Sequence, residues 1–119
     1  MKPLLVFLAF CLASLSATAQ QATSQPAAAQ IQFRTSAVCD MCKKTLEKAM
    51  AYEKGVKAAE LDIDSQTLTV VYQPDKTTPD KLRRAISLTG YDADSVQADP
   101  RAYKRLPDCC KKEMGVHHE

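Results

Sequence analysis

Glycine and histidine are scarce in this 119-residue sequence: there are three glycines, at scattered positions, and two histidines, side by side at 117 and 118. Isolated glycines leave no loop able to cradle a phosphate. No serine, threonine or cysteine sits in a pattern with a base and an orienting acid, so no nucleophile–base–orienter set is present. Hydrolytic and phosphoryl-transfer chemistry therefore have no support, and no catalytic residue is assigned. A strong charge of one sign is also missing, with 16 Lys and Arg against 14 Asp and Glu. A nucleic-acid-binding surface would need a basic face that this balance does not supply. There is no internal repeat, and the length is that of one small domain.

One apolar run opens the chain. Lys2 gives a short positive start, Leu4 to Leu15 is apolar, and Ala17-Thr18-Ala19 offers the small residues that signal peptidase reads. The run is short for crossing a bilayer. Residues 1–19 read as a cleaved secretory signal, which predicts an exported protein, periplasmic or secreted, most simply bacterial, with no membrane insertion after cleavage. A lipoprotein anchored at Cys11 is disfavoured, because Phe10 is bulky and Cys11 comes early. Lys2 leaves with the signal, so 15 basic residues then face 14 acidic ones.

Four cysteines stay behind: Cys39, Cys42, Cys109 and Cys110. An exported chain can use them as disulfides, in any of three pairings. Yet each close pair would shut only a small loop, which stabilises little. Their spacing points to chemistry more than to stapling.

The chain is organised around Ser36-Ala37-Val38-Cys39-Asp40-Met41-Cys42. Before it, Ile31, Phe33 and Thr35 alternate as in a strand. After it, Cys42, Leu46, Ala49 and Met50 recur at helical spacing. Cys39 should lie on the strand-to-helix loop and Cys42 in the first turn. The unpaired N–H groups of a helix start, with Lys43 and Lys44 nearby, favour thiolates there. Two thiolates at this spacing can hold one soft metal ion or close into a disulfide.

Around this stretch the elements follow in order. Gln20 to Gln30 has no apolar period and reads as a flexible leader. A strand is predicted over 31–36, a helix over 40–52, strands over 56–63 and 67–72 joined by an Asp64-Ser65-Gln66 turn, a helix over 79–89 opened by Thr78-Pro79 and ended by Gly90, and a weaker fourth strand over 91–98. This β-α-β-β-α-β order predicts an α+β, ferredoxin-like sandwich: a four-stranded antiparallel sheet with two helices on one face, spanning 31–98. Residues 99–119 form a separate tail containing Cys109, Cys110, Met114, His117 and His118. Arg101 to Arg105 reads as one basic helical turn, and Leu106-Pro107-Asp108 as a further helix start.

With these elements in place the chain resembles the heavy-metal-associated domain, the module of copper chaperones, of the N-terminal arms of metal-pumping ATPases and of the periplasmic mercury-binding protein. The carriers of the resemblance are Cys39-x-x-Cys42 between first strand and first helix, Lys54-Gly55-Val56, Val70-x-Tyr72 and Thr89-Gly90-Tyr91. It implies a metallochaperone that binds a soft ion, typically Cu(I), through Cys39 and Cys42, with Tyr91 lying over the metal loop. It also implies, as partner, a metal-transporting ATPase or efflux component. The family's Gly-Met before the first cysteine is replaced here by Ser36-Ala37. That methionine packs beneath the loop, so Ala37 should leave the loop less braced. The Cys-Cys tail lies outside the family pattern.

Soft sulfur ligands select Cu(I), Zn(II), Cd(II) or Hg(II) over hard ions. Two sulfurs alone favour Cu(I) or Hg(II) in near-linear geometry, because Zn(II) wants four ligands; an oxygen from Asp40 would tilt the site toward Zn(II). Competing readings are a periplasmic thiol-disulfide module with Cys39 as attacking thiolate, or a metal-free accessory domain for protein contacts. Cys109, Cys110, His117 and His118 are additional candidate ligands, the cysteines ahead of the histidines, against a plain reading as a disordered tail. Tyr91 either shields the loop or simply fills the sheet edge. Met41 and Met50 read as packing residues, and Lys43, Lys44 and Lys48 as a solvated helix face. Arg101, Lys104, Arg105, Lys111 and Lys112 read as solvated charge ahead of a surface for an acidic partner.

Overall fold

The computed structural model describes residues 27–118. The expected signal over 1–19, and the part of the leader up to 26, lie outside them. Three strands, β1 (Ala29–Arg34), β2 (Val56–Asp62) and β3 (Thr67–Tyr72), form one antiparallel sheet in the order β1-β3-β2. Strand β1 begins two residues earlier than the sequence suggests, so the leader's last residues, Ala29 and Gln30, are already paired, with Tyr72 and Val71. The β-branched and aromatic composition of β3 suits the central place. Its Leu68, Val70 and Tyr72 are buried on one face, while its opposite neighbours build rows across the sheet: Phe33–Leu68–Leu61 and Ile31–Val70–Ala59. The other face carries Gln30, Gln32, Glu60, Thr67 and Thr69 along a shallow, polar groove.

Helices α1 (Asp40–Ala51) and α2 (Pro79–Thr89) cover the apolar face. Helix α1 buries Cys42, Leu46 and Met50, four residues apart, as its period requires. Helix α2 starts as its sequence announces: Thr78 accepts a hydrogen bond from the Lys81 amide and Pro79 fills the first turn. It buries Leu82 and Ile86, with Ala85 and Thr89 only half-buried. Lys43 is no solvated lysine. Its Nζ donates to the Leu61 carbonyl at 2.9 Å, while the Leu61 amide donates to Glu47 Oε1 at 2.9 Å. Two α1 side chains thus satisfy the backbone groups of Leu61 on the edge strand β2, where another chain could otherwise pair.

The expected fourth strand over 91–98 does not form. Only isolated bridges remain, Thr35 to Ala93 and Ala93 to Val96. The cause is Asp94, which adopts a left-handed φ of 52° and turns the chain back on itself. Its carboxylate accepts the Arg34 amide at 2.8 Å and its own amide donates to the Arg34 carbonyl at 2.8 Å. One aspartate therefore terminates the β1 edge that a strand would have covered, and aspartate is a poor strand residue in any case.

Residues beyond 98 are ordered against the domain. Asp99 caps the short helix α3 (Pro100–Arg105) by accepting the Arg101 and Ala102 amides. Ser87 of α2 ties this corner down: its carbonyl accepts the Asp99 amide and its hydroxyl donates to the Gln97 carbonyl. Two single 3₁₀ turns follow, Asp108–Cys110 and Lys112–Met114. Among the described residues no helix is long and apolar enough to cross a membrane. Leu106, 9% exposed, packs over Gly90. Gly90 has φ of 109°, and a Cβ there would lie 3.1 Å from Leu106 and 3.2 Å from the Ala102 carbonyl carbon. Gly90→Ala is expected to lower unfolding free energy by about 1–3 kcal/mol, from backbone strain and displacement of α3. Urea denaturation reads this directly, and an unchanged midpoint would contradict it.

Candidate metal centre

Cys39 is the residue before the first turn of α1 and has extended backbone angles. Its side chain makes no capping bond to the helix, which leaves the thiol turned inward. Cys42, one turn into the helix, lies on the buried face by the same period that buries Leu46. The two sulfurs are 3.0 Å apart. The tail adds a third: Cys110 Sγ lies 3.5 Å from Cys39 Sγ, across 71 residues of sequence. The three sulfur atoms all fall within 4.8 Å of one another. The sequence suggested a pair of thiols open to solvent. The structure instead buries them, with Cys39 and Cys42 at 0% and Cys110 at 1% exposure, because the tail folds over the loop.

The cover is fastened at several points. The His117 amide donates to the Val38 carbonyl at 2.8 Å, directly over the loop. Lys112 reaches Asp92 at 3.3 Å, and Tyr103 donates to Glu113. His118 bridges two carboxylates, Asp64 at 2.8 Å and Asp40 at 3.7 Å. The tail is thus neither disordered nor free, and Lys112 and Lys111, the latter paired with Asp108, are engaged within the chain. The two histidines lie outside the sulfur cluster. Asp40 is outside it too, so no carboxylate oxygen joins the three sulfurs. Cys109 stands just beyond, half-buried, with its Sγ 4.0 Å from that of Cys110.

Bracing of the loop does not depend on a methionine beneath it. Ala37 is fully buried, its amide donates to Thr35 Oγ1, and its carbonyl accepts Gln66 Nε2 at 3.0 Å. Ser36 Oγ accepts the Asp92 amide at 2.8 Å. Tyr91 is also fully buried beside the thiols, with its hydroxyl facing the Cys42 and Cys110 sulfurs.

A helix start alone would acidify both thiols of the loop, but burial opposes this. Burial pushes the Cys39 thiol up to about 11. It raises Cys110 well above the ordinary thiol value, reinforced by the hydrogen bonds that Cys110 gives to Cys42 and Cys39. Cys42 also suffers burial, yet the bonds it receives from Cys110 and Cys39 outweigh that cost and hold it below the ordinary value. The first proton to leave the cluster therefore leaves Cys42. Burial, followed by the nearby Cys42 and Cys110 sulfurs, keeps the Tyr91 phenol protonated. The result is a dry pocket with three soft donors and one favoured thiolate.

Known proteins share the frame that carries this loop. The family model described as the heavy-metal-associated domain matches residues 33–92. The copper chaperone CopZ of Staphylococcus haemolyticus is 35% identical over 54 residues, covering 45% of this chain and 79% of its own. Copper-transporting ATPase 1 of Rattus norvegicus is 31% identical over 71 residues, which is 59% of this chain and 5% of the ATPase. Among solved structures, a CopZ metallochaperone superposes with a TM-score of 0.53 at 26% identity, over 55% of this chain and 98% of that one. Oxidized MerP from Ralstonia metallidurans shares the fold, with a TM-score of 0.55 at 23% identity over 57% and 96%. The family match ends at residue 92, before the Cys109–Cys110 cover.

The His118 contact gives the cover a pH dependence. Hydrogen bonding to Asp64, then its charge and that of Asp40, raises the imidazole above its ordinary value of 6.5. Because the folded value is raised, the contact contributes fully below the ordinary value and is lost as pH climbs through the raised one. The amide signals of Val38 and His117 are expected to shift with the His118 titration in NMR spectra. His118→Gln should abolish that shift; its persistence in the variant would assign it to another group.

Proposed function

The chain belongs to the heavy-metal-associated domain family, and from that premise we propose that it captures one Cu(I) ion through Cys39 and Cys42, with Cys110 as third sulfur. The observation that carries this is the meeting of three cysteine sulfurs within 4.8 Å in a pocket that offers no carboxylate or imidazole. An all-sulfur set of three favours a soft ion of low coordination number over Zn(II), which would want a fourth ligand. Hg(II) and Cd(II) meet the same donors.

The protein acts as an exported metallochaperone or buffer, located in the periplasm or secreted, as the apolar run over 4–15 and Ala17-Thr18-Ala19 suggest. Its copper-chaperone and copper-ATPase relatives support a metal-transporting ATPase or efflux component as the recipient. Transfer proceeds by ligand exchange, in which an incoming thiolate bonds to the ion as one of the cluster's sulfurs lets go. Because the pocket is closed, the exchange waits on displacement of the cover. Tyr91 serves as a wall that keeps water from the ion.

A second reading, thiol–disulfide exchange, draws on the 3.0 Å separation of Cys39 and Cys42 sulfurs. A reduction potential near the poise of the compartment would favour it.

Titration of the reduced protein with Cu(I) against a competing chelator tests the principal reading. Cys39→Ser/Cys42→Ser is expected to lose about a hundredfold or more in affinity, and Cys110→Ser about tenfold. Equal affinity in the double variant and the parent would remove the proposed site. Export has its own check: intact mass of the protein recovered from its compartment should correspond to a chain starting at Gln20.

A further inference from the structure

A sealed pocket requires a route inward, and the sulfur atoms themselves mark one. Met41 follows Asp40 on the outer side of α1 and is 41% exposed, so it is not the packing residue its sequence context suggested. Cys109 donates its thiol to Met41 Sδ at 3.9 Å and lies 4.0 Å from Cys110. Cys110 is 3.5 Å from Cys39, and Cys39 is 3.0 Å from Cys42. Five sulfurs therefore run from the surface to the buried cluster, with no gap above 4.0 Å. At the outer end, Met41 lines an open hollow of about 400 Å³ with Asp40, Lys43 and Lys44.

Packing alone would not ask for sulfur at either outer position. A leucine fills the place of an exposed methionine equally well, and a thiol that is only half-buried is a liability to oxidation. What this pair offers in addition is two soft donors of different charge. A thioether and a thiolate around a monovalent ion make a neutral unit. Such a unit can enter a dry interior without the cost of burying net charge.

We propose that Met41 and Cys109 form an entry site for Cu(I), from which the ion passes to Cys110 and then to Cys39 and Cys42. The inference rests on the Cu(I)-binding reading above. At Cys109 the thiol gives its proton to solvent as the ion binds. At each later step one Cu–S bond forms as another breaks. Up to Cys110, the thiol that takes the ion loses its proton and the thiolate that releases it regains one; at the last step Cys39 and Cys42 both give up protons, one returning to Cys110 and the other leaving to solvent. The ion stays monovalent throughout, and no electron moves.

The test is stopped-flow transfer of chelator-bound Cu(I) to the reduced, full chain, with equilibrium affinity measured on the same samples. Met41→Leu and Cys109→Ser should each slow uptake by about tenfold while leaving affinity within about threefold, since a relay lowers a barrier without adding to the resting site. Met114→Leu, at an exposed methionine that is not one of these five sulfurs, should change neither. Unchanged rates in both test variants would overturn the relay and assign entry to opening of the whole cover. Loss of affinity in Cys109→Ser would also overturn it, by making Cys109 a resting ligand. Failure of the parent chain itself to bind Cu(I) appears in the equilibrium measurement and identifies the metal reading, not the route, as the fault.

Discussion

Three thiols pressed together in a dry core set the terms for the rest of the molecule. A thiol is one of the few polar groups that a core accepts cheaply, since it behaves as a small apolar residue when protonated. A thiolate in the same place is expensive unless neighbours stabilise it. Here the neighbours are other thiols: Cys110 and Cys39 donate toward Cys42, and each pays by holding its own proton more tightly. The cluster is thus comfortable with one negative charge and strained by two. A soft cation relieves that strain where a proton otherwise must, which couples the state of the cluster to what occupies it.

The surrounding fold holds the loop from three sides. From the sheet, Thr35 and Gln66 bond the Ala37 backbone. From the segment after α2, Asp92 donates its amide to Ser36, and its carboxylate meets Lys112 of the tail. From the tail, His117 takes the Val38 carbonyl. Asp92 is the junction, tying loop and cover to the same residue. The expected fourth strand is lost at this corner, where the chain over 91–98 folds back to serve the loop and α3 instead of extending β1.

Most of the core frame was legible because its signals are local. Thr78-Pro79 and Gly90 mark both ends of α2, and alternation marks β3, since a cap or a pleat is decided by residues a few positions apart. The fourth strand misled because Tyr91, Ala93 and Val96 look strand-like while Asp92 and Asp94 decide the geometry through bonds to Ser36 and Arg34, nearly sixty residues away. The cover was legible only as a reserve of ligands. Which of Cys109 and Cys110 points inward depends on Pro107 turning the chain into a 3₁₀ turn and on Leu106 anchoring it over Gly90. Nothing in a Cys-Cys pair states that. Helical period already places Met41 outward; what was hidden, for a related reason, is its partner sulfur, which arrives from position 109.

Closure and exchange are reconciled by where the cover is strong. Leu106 is an apolar anchor packed against a glycine that cannot be enlarged, and apolar burial of this kind does not fade with pH or salt. Beyond it the fastenings are ion pairs and hydrogen bonds at partly exposed positions, which contribute little individually and weaken as salt rises. Opening beyond Leu106-Pro107 would need the burial of Cys110 and these weaker fastenings to be given up, and would carry Cys109, Cys110 and His117 away while α3 stays docked. Such a motion would strip one sulfur from the cluster and leave Cys39 and Cys42 in place on the rigid end of α1. Under the proposed function, a recipient thiol would then meet a two-coordinate ion with an open side, the arrangement in which exchange needs only one new bond before an old one breaks.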